Sequence, residues 1–194
     1  MKVRVAFAIG LILVPTAACG QPASGQSSVA RSPESADEVA IYETVLGYWL
    51  GKKQEHQLVN EQLKAPPSKD DDEFKECANG LDFGAASRAT QHMKSLAGIQ
   101  FQRRGIELID GSKWTPTDPE IGISQGKTIK AAVTEAFAKS LVSLSQIAFS
   151  NDGSDALVKV QLVCGGLCGS GATLHLHKSA TQWVVVNRCG EWVS

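Results

Sequence analysis

The side chains of this sequence that are best suited to chemistry lie between residues 164 and 177. Cys164 and Cys168 flank a Gly-Gly-Leu tripeptide, and His175 and His177 follow a few residues later. Thiolates and imidazoles suit copper or zinc, and histidines two residues apart on a strand point to the same face. These four residues are therefore a candidate metal site, and the cysteine pair alone is a candidate redox centre or a structural disulfide.

The spacing of the two cysteines favours the structural disulfide. Catalytic thiol–disulfide exchange usually uses Cys-x-x-Cys at a helix N-terminus, where the dipole lowers the thiol pKa. Here three residues separate Cys164 from Cys168, and the alternating apolar residues on both sides predict strands. Cys-x3-Cys with a downstream histidine is similar to the ligand pattern of periplasmic copper chaperones of the Sco type. The βαβ pattern of their thioredoxin-like fold is missing from this sequence.

No other group of residues predicts a catalytic residue or a cofactor site. Gly169-Ser170-Gly171 lacks the Gly-x-Ser-x-Gly spacing of a nucleophile elbow. The glycine-rich run 165–171 leads into a strand pattern, whereas a phosphate-binding loop leads into a helix. Three aspartates at 70–72 suit the first turn of a helix and lack the ligand spacing of a calcium loop. His56 and His92 have no identifiable partner.

The first nineteen residues are typical of a secretory signal peptide. Lys2 and Arg4 precede an apolar run over residues 6–14, which is too short to span a membrane, and small residues lead into Cys19. The order resembles a bacterial lipoprotein signal. That resemblance implies cleavage before Cys19 and acylation of this cysteine, and several acyl chains anchor a protein stably. Gly20, in place of the aspartate of inner-membrane lipoproteins, implies the outer membrane, facing the periplasm. Ordinary cleavage with release into the periplasm or medium is the alternative.

The rest of the chain divides into a linker and one domain. Residues 19–34 are rich in Ser, Gly, Gln, Ala and Pro, which predicts a flexible linker between the Cys19 lipid anchor and the fold. Residues 35–194 are long enough for a single domain with its own core.

The remaining four cysteines predict two disulfides, because an even number in an exported chain is typical of cystine bridges. Three connectivities are possible. Cys164–Cys168 with Cys77–Cys189 is favoured, because the first pair flanks a tight loop between two strands. The second pair would tie a helix to the last strand.

Apolar periodicity separates the domain into helices followed by strands. The predicted helices start near residue 70 and cover 36–50, 85–96 and 128–140. Two short strands are expected at 57–63 and within 99–114. From residue 141 the period changes to two, and strands are predicted at 144–149, 156–162, 172–177 and 183–186. This order predicts an α+β fold, with N-terminal helices packed on a C-terminal antiparallel meander sheet of about four strands.

The C-terminal part resembles a group of uncharacterised exported bacterial proteins. The run LSQIAFSNDGSDALVKVQLVCGGLCGSG, followed by Gln-Trp-Val-Val-Val and Trp-Val-Ser, is similar to their C-terminal region with its CGGLCG loop. The resemblance covers residues 141–194 and is weaker over the first helix and the strand near residue 58. It implies a similar strand arrangement and carries no activity.

Charge and aromatic residues narrow the classes of partner. The formal net charge is −1, and Arg103-Arg104 is the only basic pair of note, which disfavours nucleic acid and anionic lipid as partners. Trp114, near two prolines in a predicted loop, is the best candidate for an exposed interface anchor. The sequence therefore predicts a non-enzymatic envelope lipoprotein that binds another protein, of the inhibitor or immunity type. An envelope hydrolase with an unidentified site and a Cys/His metal-handling protein are the alternatives.

Overall fold

An eight-stranded mixed sheet forms the centre of the fold. The structure, a computed structural model, describes residues 33–51, 56–83, 88–89, 93–166 and 168–194. The expected signal peptide, Cys19, most of the linker and His92 lie outside these residues. The described residues belong to one compact unit, and none of their helices is long and apolar enough to cross a membrane.

The described elements follow one another along the chain with short connections. They are α1 (Pro33–Leu50), β1 (Gln57–Asn60), α2 (Asp72–Cys77), β2 (Arg88–Ala89), β3 (Ile106–Ile109), a 3-10 turn (Gly111–Lys113), α3 (Pro119–Ser124), α4 (Ile129–Ala138), β4 (Leu141–Leu144), β5 (Ala148–Phe149), β6 (Asp155–Gly165), β7 (Cys168–Ser179) and β8 (Gln182–Val193). The three longest strands come last, as the change of apolar period predicts.

The long strand β6 organises the sheet. Strand β7 pairs antiparallel with one edge of β6, and β8 pairs antiparallel with β7. The other edge of β6 is shared by β4 and β5, which lie end to end. Strands β1 and β3 extend the sheet beyond β4 in parallel, and β2 pairs antiparallel with β5.

The predicted α+β arrangement, with helices packed on an antiparallel meander of about four strands, is wrong. The sheet has eight strands and is mixed, because β1 and β3 from the N-terminal half join it in parallel. Strands of four residues give too short an alternation to reveal such a pairing. The helix predicted over 85–96 is also wrong where the structure describes it, since Arg88–Ala89 is a strand and Ser95 bridges to Gln62.

Helix α1 covers one face of the sheet. Its hydroxyl-bearing Tyr42 is fully buried and donates a hydrogen bond to the carbonyl of Ser145 at 3.1 Å. Burying each large apolar side chain contributes about 1.5–3 kcal/mol. Gly51, at φ +62°, ends the helix in the left-handed conformation. The main contacts join helix residues Ile41, Val45 and Leu46 to strand residues Val158, Val160, Leu174 and Leu176.

Helix α2 packs on the opposite face. Phe74 contributes to a small apolar cluster around Leu157. Lys159 fastens the segment to the sheet, because its Nζ lies 2.7 Å from Oδ2 of Asp71 and 3.2 Å from Oε2 of Glu73. Burial alone would lower the pKa of Lys159, but the hydrogen bonds to these two carboxylates outweigh it and raise the pKa. The β6–β7 hairpin is therefore held from both sides.

Candidate functional site

The prediction of disulfide bonds is confirmed. Cys77 is joined to Cys189, and Cys164 is joined to Cys168, with Cα atoms 5.6 and 5.2 Å apart. The first bond links α2 to β8 across 112 residues of sequence. The second closes the turn of the β6–β7 hairpin. Oxidised cysteines are not free to act as nucleophiles or as thiolate ligands.

The two histidines lie far from this turn. Gly165 pairs with Cys168 at the turn, whereas Leu157 pairs with His175 at the other end of β6. At about 3.3 Å per residue, the imidazoles lie roughly 25 Å from the disulfide. The structure therefore does not bring Cys164 and Cys168 together with His175 and His177. In the described part of the chain, no group of three or more His, Cys, Asp or Glu side chains is arranged to hold a metal ion.

A buried carboxylate joins the two histidines at the open end of the hairpin. Oδ1 of Asp155 lies 2.7 Å from Nε2 of His175 and 3.0 Å from Nδ1 of His177. An ionised carboxylate only accepts hydrogen bonds, so both ring nitrogens carry a proton. Oδ2 of Asp155 accepts a third hydrogen bond from the Ser154 hydroxyl at 2.8 Å. We call Asp155, His175 and His177 the polar cluster.

The electrostatics of the polar cluster favour the charged carboxylate. Burial alone would raise the pKa of Asp155, but the hydrogen bonds from His175, Ser154 and His177 outweigh it and lower the pKa. The side chains of Asp155 and His175 are only 10% and 12% exposed, whereas His177 is 48% exposed. The one imidazole that solvent or a ligand can readily reach is therefore that of His177.

At the turn end of the hairpin, glycines make room for an aromatic ring. A Cβ atom on Gly171 would lie 2.5 Å from Nε1 of Trp192, and one on Gly169 would lie 3.2 Å from its Cη2. The Trp192 indole therefore packs against the backbone of β7, where any side chain would displace it. The glycine-rich run 165–171 serves this packing and the turn.

Helix α3 begins directly against the disulfide-closed turn. A Cβ on Gly165 would lie 3.3 Å from both Cα of Asp118 and Cδ of Pro119. Oδ1 of Asp118 accepts the backbone N–H of Glu120 at 3.0 Å, which caps the helix. Pro119 occupies the first turn of α3, where its missing N–H costs nothing. The sequence had predicted a loop here.

A groove of about 590 Å³ opens between α3, α4 and the turn end of the sheet. Its walls come from the start of α3, from Val133 and Phe137 of α4, from residues 168–170 of β7, and from Val193 and Ser194. The volume lies within the range of ligand pockets, about 300–1,000 Å³. We call this space the turn-end groove.

Large apolar side chains are left exposed around the turn-end groove. The apolar stripe of α4 predicts a buried face, yet its fully buried members are the alanines 132 and 136. The larger Ile129 and Phe137 are 69% and 51% exposed. Exposed apolar clusters of this kind are typical of interaction sites. Five of the seven large apolar residues exposed in the described chain belong to α3, α4 or the end of β8, namely Ile121, Ile123, Ile129, Phe137 and Val193.

Trp114 braces this region from beneath and is half-buried, where the sequence predicted an exposed anchor. Its indole N–H donates to the carbonyl of Lys139 at 2.9 Å, which satisfies a carbonyl at the C-terminal end of α4. His56 is exposed and lies 2.7 Å from Oε2 of Glu107. Neither residue lines the turn-end groove.

Sequence reasoning missed Asp155 and the turn-end groove. Asp155 has the same parity as Leu157 and Lys159 in the alternating run, which places it on the face of His177 across the hairpin. The groove had a weaker signal, the i, i+4, i+8 spacing of Ile129, Val133 and Phe137. No protein-family model, no curated protein and no solved structure matches the chain.

Proposed function

We propose that this chain is an exported domain, tethered at the cell envelope, that binds another protein and catalyses no reaction. Envelope inhibitors and immunity proteins are of this type. The observation that carries the proposal is the concentration of exposed apolar side chains on α3, α4 and the end of β8. Exposing such residues to water has a free-energy cost that association with a partner removes.

The covalent frame supports a binding role. The disulfide-closed turn, the capped start of α3 and the Trp114 brace hold the apolar surface on fixed elements. A surface that is ordered before binding loses little conformational entropy on association. The two disulfides are also compatible with an extracytoplasmic location.

The tether is proposed from the sequence of residues 1–34. Cleavage before Cys19 would leave a lipidated cysteine followed by a polar linker, as in outer-membrane lipoproteins. Replacing Cys19→Ala should move the protein from the membrane fraction to the soluble periplasmic fraction and abolish incorporation of labelled palmitate. Unchanged fractionation and labelling would contradict the lipid anchor and leave the folded domain's binding role to be judged separately.

The binding role is tested in the cells that make the protein. A photo-crosslinking phenylalanine analogue is placed at Phe137 and, in a separate strain, at other exposed positions of the domain. We expect one envelope protein to crosslink and, once purified, to form a stoichiometric complex with the domain. Failure of every position to crosslink a protein would contradict the proposal.

An envelope hydrolase is the second candidate, favoured by one observation. The Nδ1···Oδ1 contact of His177 with the buried Asp155 is the arrangement that orients an imidazole as a general base. Screening the pure protein against ester, amide and glycoside substrates, with His177→Ala as control, tests this role. Equal background rates for the two proteins would remove it.

A further inference from the structure

We propose that the turn-end groove binds a peptide segment of the partner in which a large apolar side chain stands next to a lysine or arginine. This inference deepens the proposed function, because it names the surface and the chemistry of the ligand that the binding role requires. Three features carry it, which are the apolar walls of the groove, the charge along its rim and the rigidity of its floor.

The walls of the groove call for an apolar side chain. Phe137, half exposed, faces this space from α4 together with Val133, and Val193 is 85% exposed at the end of β8. Removing apolar surface from water contributes about 25 cal/mol per Å². A large aliphatic or aromatic side chain of a partner would cover these residues. A polar ligand would leave them in contact with water or with unpaired polar groups.

The rim of the groove calls for a positive charge. Two carboxylates, Asp118 and Glu120, line it, and none of its described lining residues is cationic. Asp118 uses Oδ1 to cap α3, while its Oδ2 lies 3.7 Å from the position of a Cβ on Gly166 at the turn. This second oxygen can accept a hydrogen bond from a partner's guanidinium or ammonium group. The same charges repel acidic peptides and the phosphates of anionic lipids.

The floor of the groove is built to hold its shape. Cys168 belongs to the disulfide that closes the turn, and the backbone of Gly169 exchanges hydrogen bonds with Ser194 at 3.0 and 3.4 Å. The Trp192 ring packs beneath Gly169 and Gly171. Pre-ordered pockets bind without an ordering cost, so even a short peptide can be held.

The exposed edge of β8 is a poorer docking site. The carbonyl of Trp183 accepts a hydrogen bond from the Thr44 hydroxyl of α1 at 3.4 Å, and the N–H of Gly190 donates to Oε2 of Glu76 at 3.3 Å. Two register shifts also break its ladder with β7. An added strand would meet side chains and bulges, which are the usual protection of sheet edges. A partner is therefore expected at the groove.

The test selects peptides from a random phage-displayed library on the oxidised, secreted form of the chain. We expect the enriched peptides to share an aromatic or aliphatic residue next to Lys or Arg. Synthetic versions, measured by fluorescence anisotropy, should bind Phe137→Asp at least tenfold more weakly than wild type. Tyr48→Asp is the matched control, because Tyr48 is an equally exposed aromatic on α1 and should leave affinity within twofold.

The charge is tested separately. Asn caps helices as well as Asp does, so Asp118→Asn with Glu120→Gln removes both charges and keeps α3 capped. Affinity for the basic peptides should fall severalfold at low salt, and the difference from wild type should shrink as salt is raised. If Phe137→Asp fails to fold, as circular dichroism would show, Val193→Asp replaces it, because this exposed side chain lies at the last turn of the groove wall.

Several results would overturn the inference. They are the absence of enriched peptides, enrichment of acidic peptides, and equal binding to Phe137→Asp. Phosphatidylglycerol vesicles that bind wild type and lose binding with Phe137→Asp would assign the groove to lipid. A wild-type dimer that this variant dissolves would assign it to a second copy. Crosslinking in cells from other positions but never from Phe137 would leave the proposed function standing and remove this inference, whereas peptide binding without any envelope partner would do the reverse.

Discussion

The two ends of the β6–β7 hairpin use their side chains in opposite ways. At the open end, Asp155 receives hydrogen bonds from two imidazoles and a hydroxyl, so the buried polar groups satisfy one another. At the turn end, Phe137 and Val193 surround an acidic, apolar groove that nothing in the described chain fills. Chemically reactive residue types thus serve the fold at one end, and ordinary apolar residues form the candidate binding surface at the other.

The difference shows that residue type alone is a poor guide to a site. Histidines and cysteines were the natural candidates for chemistry, yet the cysteines are oxidised and the carboxylate is largely covered. What distinguishes the turn end is unsatisfied surface, since its side chains would gain most from a partner. The predictions below separate the parts of the molecule that hold the fold from the part that meets a ligand.

The largest effect is expected from the long-range disulfide. Cys77–Cys189 closes a loop of 112 residues, and loop-closure entropy predicts a loss of about 4–5 kcal/mol in the free energy of unfolding for Cys77→Ala with Cys189→Ala. The same relation gives only about 2 kcal/mol for Cys164→Ala with Cys168→Ala, whose loop is very short. Urea unfolding of both pairs measures this. Equal losses would show that the turn-end bond also carries the fold.

The next effect concerns the polar cluster. Asp155→Ala leaves two imidazole N–H groups without their acceptor in a largely buried site, which should cost on the order of 3 kcal/mol of stability. Glu107→Ala breaks a pair of the same chemistry and the same 2.7 Å distance between exposed residues, and it should cost below about 1 kcal/mol. Neither variant should change peptide affinity. A weakened peptide complex with Asp155→Ala would link the two ends functionally.

The smallest effect is a dependence on pH. The pKa of Asp155 is held below its ordinary value, so the ionised carboxylate stabilises the fold fully above about pH 4 and progressively less as pH falls through the folded-state pKa. The difference in unfolding free energy between wild type and Asp155→Asn should therefore narrow from pH 5 to pH 3. A difference that stays constant over this interval would contradict the role assigned to the carboxylate.

The sequence predicts the local elements well and their long-range assembly poorly. The alternating residues of β6, β7 and β8 are visible because these strands are long, and Thr128 caps α4 as its pattern indicates. The parallel pairing of β1 with β3 joins two four-residue strands about fifty residues apart, and no local pattern encodes it. Pro119 was taken for a loop signal, although Asp118 before it makes a helix start.

The candidate site was less predictable, for a physical reason. Asp155 is one of twenty acidic residues in the chain, and only the register of the hairpin selects it. The groove exists because the stripe of α4 buries its alanines and leaves Phe137 outside, which depends on how α4 meets the end of the sheet. Glycines 169 and 171 were assigned to a turn, whereas their main constraint is contact with Trp192.

The span of the Cys77–Cys189 bond also sets an order of events during maturation. Its second sulfur stands five residues before the end of the printed sequence, so the bond cannot close until almost all of that sequence has emerged on the oxidising side. The Cys164–Cys168 bond joins neighbours within one hairpin and can close as soon as that hairpin emerges. We therefore expect a nascent product with a single short-range cystine to accumulate first, and the final oxidation to serve as the step that locks a completely delivered chain.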